Sequence, residues 1–235
     1  MIPKPQEVEK QKRNAALAAV KHVKDGFTVG LGSGSTAAMT IEEIGKKINR
    51  EKIRILGIPT SYQSFMLAVE HHIPTTTLEE HPILDLTIDG ADQIDRELNL
   101  IKGMGGALAR EKILAYSSKQ NIIVADEGKV VKILGEKGQP VPVEVMPPAI
   151  SLVMRKLKAL KGKPVLREGS GKVGPVITDN GNVILDTEFG LIRGPAELAR
   201  ELKVIPGVVE TGIFVGTANL AYVGKSSTVE KLVKG

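Results

Sequence analysis

Between Ile83 and Ala115 the chain reads I-L-D-L-T-I-D-G-A-D-Q-I-D-R-E-L-N-L-I-K-G-M-G-G-A-L-A-R-E-K-I-L-A, and few folds accommodate that order. Residues 83–88 are mostly apolar and predict a short strand buried on both faces. The run stops at Asp89-Gly90-Ala91-Asp92, which places two carboxylates at the strand's end. Lys102 follows within a turn containing Gly103, Met104, Gly105 and Gly106, and a helix opens at about Ala107 with Glu111 in its second turn. In an open parallel sheet ligands bind outside the carboxyl ends of the strands. Asp89, Asp92, Lys102 and Glu111 are therefore candidates to meet one small molecule.

Taken singly, each has a plainer explanation. Asp and Gly favour turns whatever the function, and Glu111-Lys112 is compatible with a solvated helix face. Together they carry more. A glycine-rich turn before a helix presents free N–H groups to an anion, and carboxylates with a lysine around it form an acid–base site.

A second strand–glycine loop–helix unit lies upstream. The strand Phe27–Val29 leads into Gly30-Leu31-Gly32-Ser33-Gly34-Ser35 and a helix from about Thr36 to Asn49, the architecture of an anion cradle. Gly32–Ala37 formally fits G-x-G-x-x-A, but a dinucleotide site needs an acid at the end of the next strand. That strand, Ile53–Ile58, ends in Pro59-Thr60-Ser61. A P-loop needs Gly-Lys-Ser/Thr, and there is no lysine here. The hydroxyls of Ser33, Ser35 and Thr36 suit a single phosphate.

The remaining pattern divides the chain. Helices over Pro5–Lys24 and Thr60–Val69, and strands at Thr75–Leu78 and Asn121–Ala125, alternate with those above and imply a parallel sheet with helices on both faces. Beyond Val130 the order changes to β-α-β-β-α-β, which is ferredoxin-like. Its strands are Pro140–Val145 and short ones near Val165–Arg167, Val176–Thr178, Val183–Asp186 and Val208–Glu210. Its helices are Pro147–Leu160 and Pro195–Leu202, and Asp179-Asn180-Gly181-Asn182 signals a hairpin. The tail predicts a strand over Ala218–Gly224 and a helix over Ser226–Val233. Residues 1–130 and 213–235 are expected to form the large α/β domain, with a smaller α+β domain, 131–212, inserted.

Composition narrows the chemistry. Hydrophobic residues at 42% and charged residues at 25% describe an ordinary globular protein. The net charge of +5 favours an anionic partner, but aromatics at 3% leave few platforms for single-stranded nucleic acid. A phosphorylated metabolite fits better. No cysteine is present, so disulfides, thiolate nucleophiles and Cys-based metal sites are excluded. The four histidines lack ligand spacing. Asp89, Asp92 and Asp95 do not follow the calcium-loop pattern, and no G-x-S-x-G elbow supports a serine hydrolase. The segment M-I-P-K-P-Q-E-V-E-K has no apolar core of a signal peptide, and no run reaches membrane-spanning length. A cytoplasmic protein with no nucleic-acid or membrane partner is the expectation.

D-G-A-D, followed by K-G-M-G-G-A and R-E-K, resembles the signature of the type A ribose-5-phosphate isomerases. G-L-G-S-G-S-T-A at Gly30–Ala37 resembles that family's phosphate loop, and A-D-E-G-K at Ala125–Lys129 resembles its A-D-x-x-K turn. The resemblance spans essentially the whole chain. It implies a Rossmann-like large domain and interconversion of ribose 5-phosphate and ribulose 5-phosphate through a cis-enediolate, without cofactor or metal, in a homodimer or homotetramer. It further implies Glu111 as base, Lys102 as enediolate stabiliser and Asp89 in ring opening. Substrate contacts would come from Ser33, Gly34, Ser35, Thr36, Gly90, Ala91, Asp92, Gly103, Met104, Gly105 and Lys129, with Lys12 a neighbour of the phosphate. Other sugar-phosphate enzymes of similar fold, a sugar-phosphate sensor and a coenzyme A transferase are the rival readings. No helix-turn-helix precedes the first strand, which disfavours the sensor.

Overall fold

The computed structural model describes residues 4–171 and 173–233. Proline in the first turn starts α1 (Pro5–Val20), which buries Ala15, Ala16, Ala19 and Val20. The helix expected to Lys24 ends at Val20. Asp25 and Gly26 hold Arg54 there through its N–H and C=O, and Val23 still reaches the core from the turn.

The α/β alternation then runs β1 (Thr28–Leu31), α2 (Ser35–Glu51), β2 (Leu56–Pro59), α3 (Tyr62–Glu70), β3 (Leu86–Gly90), a hairpin of β4 (Gln93–Ile94) and β5 (Leu100–Ile101), α4 (Leu108–Ser117) and β6 (Asn121–Asp126). Every residue of β1 and β6 is buried, as strands covered on both faces require. Helix α3 starts where it does because Ser61 caps it, in reciprocal hydrogen bonds with Ser64.

Strand β3 begins three residues later than the expected 83–88 and ends two residues later. Its pairing runs from Leu86 opposite Val29 to Gly90 opposite Val124, while Ile83 is exposed and Leu84 bonds instead to Ser117 and Lys119. Asp89 therefore projects from within the strand, not from the turn beyond it. The strand expected over Thr75–Leu78 amounts to one bridge between Gly57 and Thr75.

Between β6 and the end of the chain stand β7 (Val141–Val145), α5 (Ile150–Ala159), β8 (Lys163–Leu166), β9 (Val183–Glu188), α6 (Pro195–Lys203) and β10 (Val208–Thr211). They form an antiparallel sheet in the order β10-β7-β9-β8, the ferredoxin-like arrangement. The strand expected over Val176–Thr178 shrinks to a bridge between Ile177 and Val183 that closes the hairpin through Gly181.

The chain returns through β11 (Ile213–Phe214), which pairs with β5, and β12 (Leu220–Gly224), and it ends in β13 (Val229–Val233). The main sheet has the order β13-β12-β6-β3-β1-β2 and is parallel except for β13. The helix expected over Ser226–Val233 is thus replaced by an antiparallel strand. Val229, Leu232 and Val233 have the i, i+3, i+4 spacing of a helix, but Lys225 N–H bonds to Thr228 C=O, making a turn of the serines, and pairing with the edge of β12 buries Leu232 while Val229 and Val233 stay exposed. Gly224 lets α1 lie on this sheet, since a Cβ there would stand 1.8 Å from the carbonyl of Gln11. Among the described residues no helix is long and apolar enough to cross a membrane.

Candidate active site

The sheet order places β1 between β2 and β3, so the order in which successive strands are added reverses at the β1/β3 boundary although the two strands run parallel, and open α/β sheets form ligand crevices at such a point. Gly32–Ser35 leaves β1 at that boundary, and Asp89, the last residue but one of β3, lies beside it. Gly32 permits the approach: a Cβ would stand 2.2 Å from Asp89 Oδ1. That oxygen accepts hydrogen bonds from the N–H groups of Ser33 (3.1 Å) and Gly90 (2.7 Å).

The β4–β5 hairpin folds Lys102 back over the end of β3. Its backbone is anchored when Asp92 N–H bonds to Ile101 C=O and Lys102 N–H to Gly212 C=O. Lys102 Nζ donates to Gly90 C=O at 2.6 Å and stands 3.0 Å from Asp89 Oδ2 and 3.3 Å from Glu111 Oε2. Asp89, Lys102 and Glu111 are only 2%, 3% and 4% exposed.

Glu111 arrives on the first turns of α4. Helical spacing puts Ala107, Glu111 and Leu114 on the buried side. Its neighbour Lys112 points the other way and locks the helix, donating to Glu210 (2.9 Å) and to the carbonyls of Thr211 (2.7 Å) and Ile213 (2.9 Å). The Phe214 ring lies between the two lysines, 5.5 Å from Lys102 Nζ and 4.6 Å from Lys112 Nζ.

Burial pushes the Glu111 carboxyl up to about 8. The Lys102 charge opposes that rise, and the Asp89 charge adds to it. Burial also works against the Lys102 ammonium, but Asp89 and Glu111 more than offset it and hold its pKa above the lysine range. With Lys102 balancing Asp89, an ionised Glu111 is the surplus negative charge. Such a carboxylate can both take and return a proton near neutral pH.

Lys102 and Glu111 line one side of a cleft of about 110 Å3 whose walls also include Lys12, Ser33, Gly34, Ser35, Thr36, Gly90, Ala91, Asp92, Gly103, Gly105 and Lys129, whereas Asp89 is not on its wall and reaches it only through Lys102. Met104, expected there, is exposed, and its backbone N–H bonds to Asp92 Oδ2 at 3.0 Å. A larger cleft of about 540 Å3 on the other side of α4, between Tyr116 and Lys203, contains none of the acid–base residues. The chemistry belongs to the smaller one. Among the described residues no three His, Cys, Asp or Glu side chains cluster as metal ligands would.

The Gly32–Ser35 loop has supports beyond the residues expected from the sequence. Ser33 Oγ is held by Thr60 Oγ1 (2.7 Å) and Ser61 Oγ (2.5 Å), the two hydroxyls after β2. Lys12 donates to Ser35 Oγ at 2.9 Å, which brings α1 to the loop. Arg167, just beyond β8, donates to the carbonyls of Gly103 and Met104. Pro59-Thr60-Ser61 was visible as a hydroxyl pair at a strand end, whereas nothing near Arg167 in sequence signals its reach.

A doubly wound, mainly parallel sheet, a glycine and hydroxyl loop at its switch point and a buried Asp89–Lys102–Glu111 cluster beside it are the makings of an α/β enzyme. The chain belongs to the ribose 5-phosphate isomerase A (phosphoriboisomerase A) family, whose model matches residues 56–228. It is 52% identical to ribose-5-phosphate isomerase A of Methanosarcina acetivorans, covering 95% of this chain and 94% of that one. With its counterpart from Pyrococcus horikoshii the identity is 46%, over 96% and 98%. The structure of the Methanocaldococcus jannaschii protein superposes with a TM-score of 0.93 at 46% identity, covering 96% of this chain and 99% of that one. A D-ribose-5-phosphate isomerase in complex with phospho-erythronic acid superposes with a TM-score of 0.94 at 45% identity and the same coverage.

Proposed function

We propose that this chain interconverts D-ribose 5-phosphate and D-ribulose 5-phosphate, a step of the pentose phosphate pathway. The observation that carries the reading is the buried contact of Lys102 with both Asp89 and Glu111, at the rim of a loop built for one phosphate.

Isomerisation moves one proton from C2 to C1 and another from O2 to O1. The Glu111 carboxylate takes the proton from C2 of the open-chain aldose and returns it to C1 of the cis-enediolate. Lys102 and the N–H groups of the Gly103–Gly106 turn stabilise the negative oxygen that develops between those steps. Asp89 serves ring opening, Asp92 binds sugar hydroxyls, and Ser33, Gly34, Ser35 and Thr36 hold the phosphate at the α2 N-terminus with Lys12 and Lys129 beside it.

Residues 1–130 and 213–235 form the catalytic domain in this reading, and 131–212 the smaller one. The protein acts in the cytoplasm as a homodimer or homotetramer. An exposed apolar stripe on α3 (Tyr62, Phe65, Met66 and Val69) supports self-association. Incubation with ribose 5-phosphate should yield the ketose, and a chain that makes none under varied conditions overturns the proposal.

A further inference from the structure

Arg167 belongs to the antiparallel sheet yet ends at the active-site turn. Its backbone is fixed on both sides, by Ile184 C=O and Val176 N–H. Its guanidinium makes a two-pronged ion pair with Asp186 on β9, Nε to Oδ2 at 2.7 Å and Nη2 to Oδ1. The remaining nitrogen, Nη1, donates to Gly103 C=O (3.1 Å) and Met104 C=O (2.9 Å). A planar fork of fixed donors can hold a carboxylate and two carbonyls at once, and a lysine cannot.

The consequence follows from peptide geometry. In a trans peptide the N–H points opposite the C=O. Met104 C=O faces Arg167, so the Gly105 N–H faces away from it, on the side where Gly103 and Gly105 line the cleft. The preceding peptide is fixed at both ends, because Gly103 C=O also accepts from Gly106 N–H at 2.9 Å and Met104 N–H bonds to Asp92. The turn has glycine on either side of Met104 and no regular structure of its own. Arg167 is the external restraint on its carbonyls.

We infer that Arg167, held by Asp186, is a positioning residue that aims the Gly105 N–H at the oxygen where charge develops during isomerisation. The inference rests on the function proposed above. It gives the inserted sheet a part in the chemistry without touching substrate.

The test compares wild type with Arg167→Lys and Arg167→Ala on ribose 5-phosphate. Outright loss of an oxyanion donor costs about 10²–10³ in kcat, so a misaimed donor should cost about 10- to 100-fold. KM should change less than about threefold, because the phosphate loop is elsewhere. Phospho-erythronic acid, whose planar carboxylate mimics the enediolate, should lose affinity in parallel with kcat, and inorganic phosphate should not. Millimolar guanidinium should restore part of the Arg167→Ala rate. Unaltered kcat in both variants overturns the inference. So does equal weakening of phosphate and phospho-erythronic acid, the mark of a merely structural role. A wild-type chain that makes no ketose overturns the function and the inference together, whereas an active wild type with indifferent variants removes Arg167 alone.

Discussion

Lys102 Nζ and Glu111 Oε2 stand 3.3 Å apart in a place almost closed to solvent. Burying such a pair costs more desolvation energy than isolated surface pairs recover. The pair lines the same cleft as Ser33–Thr36, and a catalytic role is the expected reason for that cost.

Glu111→Gln keeps the shape and removes the base. kcat should fall by about two to four orders of magnitude, with little change in KM because the phosphate contacts remain. Exchange of the C2 proton in deuterated water should fall with it. Near-normal turnover would shift the base role to Asp89.

The raised pKa of Glu111 sets the pH response. The base works deprotonated, so kcat/KM should rise with pH through a limb near 8. Lys102→Met removes the charge that lowers this pKa, so the limb should move to higher pH while kcat drops. Stability runs the opposite way. An acid raised from 4.5 to about 8 holds its proton in the folded state, and the associated stabilisation is lost as pH climbs across that window. Thermal melts of wild type and Glu111→Gln should diverge in the variant's favour between about pH 5 and 8. A constant difference would show that Glu111 titrates normally.

Phosphate is expected to be the anchor. Two or more charge-assisted hydrogen bonds at about 1.5–3 kcal/mol each predict that unphosphorylated ribose loses at least about a hundredfold in kcat/KM. Lys12→Ala, which removes an exposed cation, should raise KM by only about three- to tenfold with kcat kept. Similar kcat/KM for the two sugars would take Ser33–Thr36 out of substrate binding.

Activity should survive exhaustive chelation. The Lys102 ammonium already occupies the place between the two carboxylates that a cation would take. Loss of turnover with EDTA, restored by a divalent ion, would assign Asp89 and Asp92 to a metal instead.

A different buried carboxylate governs stability. Glu144 Oε1 accepts from Thr178 Oγ1 (2.9 Å), Asn180 Nδ2 (3.1 Å) and Asn182 Nδ2 (2.8 Å), and the hairpin it holds meets Arg110 and the N–H of Tyr62. Glu144→Ala removes the acceptor those donors share at a cost of about 1–3 kcal/mol, or about 5 °C in Tm for a chain of this size. Glu144→Gln keeps an acceptor and should cost less. Equal melting of both variants would mean the hairpin does not depend on it.

The parallel core was readable because β1, β3 and β6 are apolar runs buried on both faces. Asp89, Lys102 and Glu111 were readable because acids, a lysine and glycines at strand ends have few uses. What stayed hidden depends on distance or on ambiguity. Arg167 reaches the Gly103–Met104 turn from 63 and 64 residues away, and Thr60 and Ser61 support Ser33 from the next strand. The Val229–Val233 segment carries the apolar spacing of a helix, and pairing with the edge of β12 overrides it. The offset of β3 was set by its neighbours' register, which no local pattern contains.

The pairing of β12 with β6 also sets an order of events during synthesis. Asn121 and its partner Asn219 lie 98 residues apart in sequence, with the whole antiparallel sheet emerging between them. Until then β6 is an open edge of apolar residues, and α1 lacks β12, whose Gly224 it finally rests against. Contacts of such long separation slow folding and leave sticky intermediates. A ribosome still translating residues beyond Phe214 carries a nascent chain whose acid–base residues are all present but whose central layer is unfinished. For this chain, the strands that leave the exit tunnel after the antiparallel sheet are the ones that seal the first helix in place.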